Sequence, residues 1–301
     1  MLYKLKTKIR YSKFGNKIVN IILSSKYSDL IYVFFDKLKL TDTANLKPIV
    51  NKESYKFFEL NKDRVKKIIS YLADEKSKQI YSEIINYRCF INSRNVPEYS
   101  MADQYFPKDI IKLIDSEVFV DCGAYTGDTI EKFIKNTNGK YKKIIAFEAD
   151  KKNFSKLQKK KRNNVFYFNL GIWYEKDILK FIQDETMSSK LQQTHVNINN
   201  LYNFQNITEQ VIKIDVDAID NIPECSDMTF LKMDIEGAEL NALKGAEKTI
   251  RKNKPKLAIC IYHSNEDMLE IPEWLINLNM NYKLYIRHHF TNLTETIIYA
   301  I

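Results

Sequence analysis

Cysteine is scarce in this 301-residue chain, and the four present (Cys89, Cys122, Cys225, Cys260) form no close pair and no metal-like spacing. Cys122 and Cys260 sit in strand-like apolar runs and read as small core residues. A reducing compartment, the cytoplasm, fits this usage best. The four histidines (His195, His263, His288, His289) make no H-x-H or H-E-x-x-H pattern, so no metal site is expected. No apolar run approaches the length that spans a bilayer. The basic start, MLYKLKTKIRYSKFGNK, lacks the apolar core of a secretory signal. It reads as a solvated end, the alternative being a helix making weak peripheral contact with a membrane surface. No Pro/Gly-rich linker and no internal repeat divide the chain.

The net charge is +9. Its lysines are spread along the whole length among Asn, Ile and Tyr, which reads as a general residue bias and not as a nucleic-acid patch. None of the six prolines is followed by another, so the D/N/S-P-P-aromatic clamp of base-amino methylation is missing. Hydrophobic residues make up 45% and charged ones 28%, a balance that folds as a globule.

From Ser116 onward, strand and helix patterns alternate. EVFVD (117–121), KIIAF (143–147), 165–168, MTFLKM (228–233) and 256–262 read as buried strands. Helical segments at 128–135, 153–161, 239–252 and 267–278 separate them, which implies a mostly parallel sheet with right-handed crossovers. Residues 282–287 and 296–301 form a closing antiparallel pair. Residues 172–183 read as a hairpin, 184–208 as a long polar loop, and 211–216 as another strand. The first 115 residues differ: 63–72 and 75–87 carry apolar residues at helical spacing. The expected division is a mainly helical region or cap over 1–115 and a cofactor-binding α/β domain over 116–301.

The strongest local pattern is Asp121-Cys122-Gly123-Ala124-Tyr125-Thr126-Gly127-Asp128-Thr129. A strand enters a glycine-bearing bend and then a helix, leaving backbone N–H groups at the helix start. Gly123 would admit a cofactor close to the backbone and Gly127 a tight helix entry. The spacing is G-x-x-x-G; the middle glycine that approaches a pyrophosphate in G-x-G-x-x-G is absent. Acids at 121 and 128 repel a pyrophosphate but suit the ammonium and sulfonium of S-adenosylmethionine. Glu148 ends the next strand, where an acid accepts hydrogen bonds from ribose hydroxyls. Asp234, Glu236 and Glu239 crowd one strand end, facing the crevice where such sheets bind ligands. Asp234 would lie near the transferring methyl; Glu236 and Glu239 equally suit the first turn of a helix. These acids leave a divalent ion possible without demanding one. His263 ends the following strand, where a neutral imidazole would take a hydroxyl proton, an ordinary hydrogen bond being the competing reading. His288 and His289 read as structural or acceptor-lining.

FVDCGAYTGDT, FEAD and LKMDIEGAELNALKGA, continued by IYHSNEDMLEIPEWLINL, LYIRHH and ETIIYA, resemble the FkbM family of methyltransferases. The upstream LADEKSKQIYSEIINYR and DQYF resemble the helical lead-in of bacterial members, so the likeness runs from about residue 60 to the end. The first 60 residues match no pattern of the family. The resemblance implies a Rossmann-like class I methyltransferase fold with an antiparallel C-terminal strand, and S-adenosyl-L-methionine as cofactor. It implies O-methylation of a sugar, glycan or secondary-metabolite hydroxyl, so the partner is a small-molecule or glycan acceptor and no nucleic acid is expected. Carried over by position, Asp121, Gly123, Ala124, Tyr125, Gly127, Asp128 and Thr129 line the cofactor loop. Glu148 with Ala149 holds the ribose, and Asn169 to Gly171 approach the adenine. Ser188 and Ser189 lie near the cofactor, and Tyr105 and Phe106 close over it. From the residues themselves, His263 or Asp234 is the catalytic base that removes the hydroxyl proton. A nicotinamide-dependent oxidoreductase and a non-catalytic binding protein on the same fold are the competing classes.

Overall fold

A computed structural model describes residues 49–91, 97–101, 104–183 and 210–301. Ser188, Ser189 and the polar stretch 184–208 lie outside the described residues. Strand β1 (Ile49–Val50) leads into helices α1 (Lys52–Leu60), α2 (Lys62–Tyr71) and α3 (Glu75–Cys89), and β2 (Phe90–Ile91) returns antiparallel to β1. Short polar side chains start two of these helices. Asn51 Oδ1 accepts from Ser54 N at 3.1 Å, and Asp74 Oδ1 from Ser77 N at 2.7 Å. Ile80 and Ile84, one turn apart on α3, are fully buried with Tyr81, whose hydroxyl donates to the Met268 carbonyl at 2.7 Å.

The α/β part follows: β3 (Val118–Cys122), α4 (Asp128–Asn136), β4 (Lys143–Phe147), α5 (Lys151–Leu157) and β5 (Val165–Phe168). A side sheet of β6 (Gly171–Ile172), β7 (Asp177–Gln183) and β8 (Gln210–Asp217) comes next. The chain then runs through β9 (Phe230–Met233), α6 (Glu239–Lys244), α7 (Glu247–Asn253), β10 (Lys256–Cys260), α8 (Asp267–Asn277), β11 (Leu284–His288) and β12 (Thr296–Ala300). The main sheet has the order β11-β12-β10-β9-β3-β4-β5. β10, β9, β3, β4 and β5 pair in parallel, and β12 runs antiparallel to both β10 and β11. This is the methyltransferase arrangement expected from the strand rhythm and the closing hairpin.

Successive side chains of a strand alternate between faces, and the central strands are apolar on both, as a covered parallel sheet requires. Val118, Val120, Ile145, Leu231, Met233 and Ile259 join one core, shared with Phe58, Ile68 and Ile84 of the N-terminal helices. Phe119, Ile144, Ala146, Phe230 and Ala258 build the other, with Phe106, Phe133 and Leu157. Phe119 and Phe133 stack at 4.4 Å between centroids. The edge strand β11 is covered by α3: Ser77 Oγ accepts from Ile286 N at 2.9 Å, and Ala73 N donates to the Leu284 carbonyl at 2.8 Å.

Two expectations need correction. Residues 172–183 are not a hairpin: β6 lies parallel to β8, and β7 pairs antiparallel with β8 from Asp177↔Val216 to Gln183↔Gln210. In β8, buried Ile214 and Val216 alternate with exposed Lys213 and Asp215, the pattern of a strand covered on one face. The expected helix over 239–252 is two helices, broken at Gly245. A Cβ there would lie 2.1 Å from the Trp173 carbonyl oxygen, so the crossing backbone of 173–174 admits only glycine at the junction.

Candidate functional site at the carboxyl ends of the central strands

The bend after β3 is set by backbone conformation and close packing. Gly123 and Gly127 have φ of +80° and +88°, accessible at no cost only to glycine. Gly123 N and Ala124 N both donate to the Phe147 carbonyl, at 3.0 and 2.9 Å, so the loop hangs on the end of β4. A Cβ on Gly123 would lie 1.9 Å from the Asp234 carbonyl oxygen. The glycine is therefore demanded by the neighbouring turn, a different reason from the close cofactor approach expected. Gly127 caps α4, with Asp128 exposed and Thr129 buried at the helix start.

Glu148 ends β4 and folds over this bend. Its Oε2 accepts from Tyr125 N at 2.7 Å and its Oε1 from Asp150 N at 2.8 Å. Burial pushes the carboxyl up to about 7, partly opposed by those two N–H groups. Each oxygen keeps a lone pair for a further donor. Asn169, at the end of β5, spends its amide on the carbonyls of Glu148 and Ala149, at 2.9 and 3.1 Å. It braces the strand ends and does not offer that donor to a ligand. Gly171 is tight for a different reason: a Cβ would meet Val216 at 2.9 Å.

Strand parity then brings charges together. Phe119 and Asp121 on β3, and Phe230 and Lys232 on β9 with Asp234 just beyond it, share one face with Cys260 and Tyr262. This face is apolar at its amino ends and polar at its carboxyl ends. Lys232, only 1% exposed, donates to the carbonyls of Cys122 at 3.2 Å and Gly123 at 2.9 Å. Its Nζ lies 3.0 Å from Asp121 Oδ1 and 5.1 Å from the ring centroid of Tyr105. Burial opposes the ammonium, but Asp121 and Asp234 more than offset it, so its pKa rises. Asp121 itself is wholly buried, so it acts through Lys232 and does not line an open loop.

Asp234 is held from both sides. Tyr105 OH donates to Oδ2 at 2.7 Å and Tyr262 OH to Oδ1 at 2.9 Å. Burial resists its charge, while Lys232, His263 and the two hydroxyls keep it below the usual carboxylate range. Tyr105 is a buried, non-glycine residue at φ +68°, a strained conformation of the kind that gathers at functional sites. Beyond Asp234 the chain turns through Glu236 (φ +58°) and Gly237 (φ +93°) into α6. Glu239, fully buried at the first position of α6, accepts from Ile235 N at 2.7 Å.

His263 follows β10 and faces three acids. Nδ1 is 3.3 Å from Glu239 Oε1, and Nε2 is 3.5 Å from Asp234 Oδ1 and 3.7 Å from Glu236 Oε2. Burial favours the neutral ring, but Glu239, Asp234 and Glu236 raise its pKa to about 9. The expected neutral imidazole base is thereby corrected to an imidazolium near neutral pH. Phe106 is also reassigned: it lies under the sheet, 6.0 Å from Phe119 and 5.7 Å from Phe230, and closes over nothing. His288 and His289 are structural. His288 Nδ1 lies 3.0 Å from Thr296 Oγ1, and His289 contacts the Ser100 carbonyl and Tyr299 OH at 2.6 and 2.8 Å.

Asp121, Gly123, Glu148, Asp234 and His263, picked out from the sequence, therefore meet around one end of the sheet. Lys232 and Tyr262 were missed. The signal was present: a lysine inside the apolar run FLKM has to be paired, and period two places it beside Asp121 and Asp234.

A parallel sheet with one antiparallel strand next to its edge, and a glycine bend and acids at its carboxyl ends, defines a class I methyltransferase fold. Residues 121–284 match the methyltransferase FkbM domain. The chain belongs to the FkbM family of S-adenosylmethionine-dependent methyltransferases, which sets the nicotinamide reading aside. It is similar to the crystal structure of methyltransferase FkbM from Methylobacillus flagellatus KT, with 27% identity and a TM-score of 0.67. That likeness covers 81% of this chain and 60% of the other, so the chain spans less than two thirds of that relative. Fibrillarin from Aeropyrum pernix, with natively bound S-adenosyl-L-methionine, matches at 12% identity and a TM-score of 0.37. That match covers 66% of this chain and 73% of fibrillarin. No curated protein matches the chain. Among the described residues, no helix is long and apolar enough to cross a membrane.

Proposed function

We propose that this chain transfers a methyl group from S-adenosylmethionine to a hydroxyl oxygen of a sugar, glycan or secondary-metabolite acceptor. The observation that carries the reading is Asp234, clasped by two tyrosine hydroxyls at the carboxyl end of β9, in the crevice where such sheets bind ligands. Residues 116–301 form the catalytic domain, and the region before them acts as its cap.

The cofactor supplies an electrophilic methyl on a sulfonium; the protein's work is to bind and orient. Glu148 suits the ribose, since both its oxygens are fixed by backbone N–H groups and each keeps a free lone pair. The backbone of Gly123 to Gly127 and the exposed Asp128 suit the amino-acid end. Acidic side chains outnumber basic ones at this end of the sheet, with Asp121, Glu148, Asp234, Glu236 and Glu239 against Lys232 and His263, which favours a cationic ligand. Asp234 accepts the acceptor's hydroxyl hydrogen and takes the proton as the new C–O bond forms. Fixed geometry of this kind contributes about 7–11 kcal/mol in well-oriented reactions.

Incubation with methyl-labelled S-adenosylmethionine and a panel of glycosides, followed by mass spectrometry, tests this directly. The expected result is one added methyl on an acceptor oxygen, abolished in Asp234→Asn. Transfer only to nitrogen or carbon acceptors contradicts the oxygen assignment.

A further inference from the structure

We propose that Asp234, Glu239 and His263 form a binding site for one divalent first-row cation, of which Mn²⁺ is the probe. One ligand atom from each of the three lies within 4.8 Å of the others. Bonds to such an ion are about 2.0–2.2 Å long, so each atom needs to move by less than about 0.7 Å to close around it. The set of one imidazole and two carboxylates suits ions of intermediate hardness.

Burial supplies the independent support. Glu239 is 0% exposed, and its Oε2 has no hydrogen-bond partner. Both ring nitrogens of His263 are likewise buried and without one, their nearest carboxylate oxygens lying at 3.3 to 3.7 Å. Buried polar groups are nearly always satisfied, and an ion bound by one ring nitrogen and by Glu239 would satisfy atoms that the protein leaves unpartnered. A cation bound here takes the place of a proton on His263, since an imidazole coordinates only in its neutral form.

The surrounding contacts fit ligands held in advance of binding. Tyr105 and Tyr262 orient the Asp234 carboxylate, and Ile235 N anchors Glu239 Oε1, the outer contacts that fix metal-ligand geometry. Glu236, half-exposed with φ +58°, places Oε2 3.7 Å from His263 Nε2, and a set of only three protein ligands leaves positions on the ion for oxygen ligands. An acceptor hydroxyl bound there becomes more acidic and is oriented toward the methyl donor. That role rests on the methyl-transfer reading; the binding of the ion does not.

The test uses the full-length protein, stripped with chelator and titrated with Mn²⁺, with free ion followed by electron paramagnetic resonance. One Mn²⁺ per chain is expected, weakened at least tenfold in Glu239→Gln and in His263→Asn, and unchanged in Glu117→Gln at the far end of the sheet. Pulsed resonance of the wild-type complex should show coupling to an imidazole nitrogen, a readout that does not depend on how the variants fold. No saturable binding, or bound Mn²⁺ without nitrogen coupling, overturns the site. S-adenosylmethionine is titrated separately. Its binding without Mn²⁺ binding removes the ion and leaves methyl transfer standing, whereas Mn²⁺ binding alone does the reverse.

Discussion

Two buried carboxylate–lysine pairs sit at opposite ends of the main sheet, and they are built differently. At the amino ends, Glu117 is fully buried and fully satisfied: it accepts from Ile114 N at 3.1 Å, from Thr229 Oγ1 and from Lys256. Lys256 is 18% exposed and still reaches water. At the carboxyl ends, Asp121 and Lys232 are both sealed from solvent, and neither oxygen of Asp121 has a hydrogen bond of good geometry. Lys232 spends its donors on the carbonyls of the glycine bend instead. A stabilising pair is completed by its neighbours. The pair beside the proposed site leaves the oxygens of Asp121 without hydrogen bonds and balances them by the charge of Lys232.

The sharpest way to break this comparison is Lys232→Met. It leaves Asp121 buried and unpaired, and we expect a loss of roughly 3–5 kcal/mol in urea unfolding. The double variant Asp121→Asn/Lys232→Met should recover most of that loss while S-adenosylmethionine binding stays weak, separating stability from site geometry. Gly123→Ala comes next, at about 2–4 kcal/mol, because a positive φ and the Asp234 carbonyl both oppose a Cβ. Gly139→Ala, with φ +76° but nothing within 4 Å, should cost only about 1–2 kcal/mol. Glu117→Gln should cost about 1–3 kcal/mol, since Lys256 can turn to solvent.

A further effect is a slope with pH. Glu148 and Glu295 titrate near 7 in the folded chain, against the 4.5 of an ordinary Glu, because burial disfavours their charged forms. Between those values the folded state holds protons that the unfolded state has released. Their contribution is therefore fully present below pH 4.5 and is lost as pH rises to 7. Unfolding free energy measured from pH 4.5 to 7.5 should fall less steeply in Glu148→Gln than in the wild type.

Much of this was legible in the residues. The strand–helix rhythm, the G-x-x-x-G bend, Glu148 and Asp234 are local patterns, and local patterns survive in sequence. The β7–β8 pairing was not legible, because it joins segments on either side of 184–209 and only the fold sets its register. The need for glycine at 245 comes from a backbone crossing at residue 173, far along the chain. The ionisation of His263 depends on three acids, two from the turn after β9 and one from the start of α6, whose distances only the assembled structure fixes. Lys232 lay in plain view but needed strand parity to be seen as the partner of Asp121.

Calorimetric titration of the folded chain with S-adenosylmethionine, in wild type and Glu148→Ala, probes the site most directly. One saturable site per chain, at least tenfold weaker in the variant, is the predicted outcome. Absence of binding to folded protein, or equal affinity in both, contradicts the placement of the cofactor between the glycine bend and Glu148.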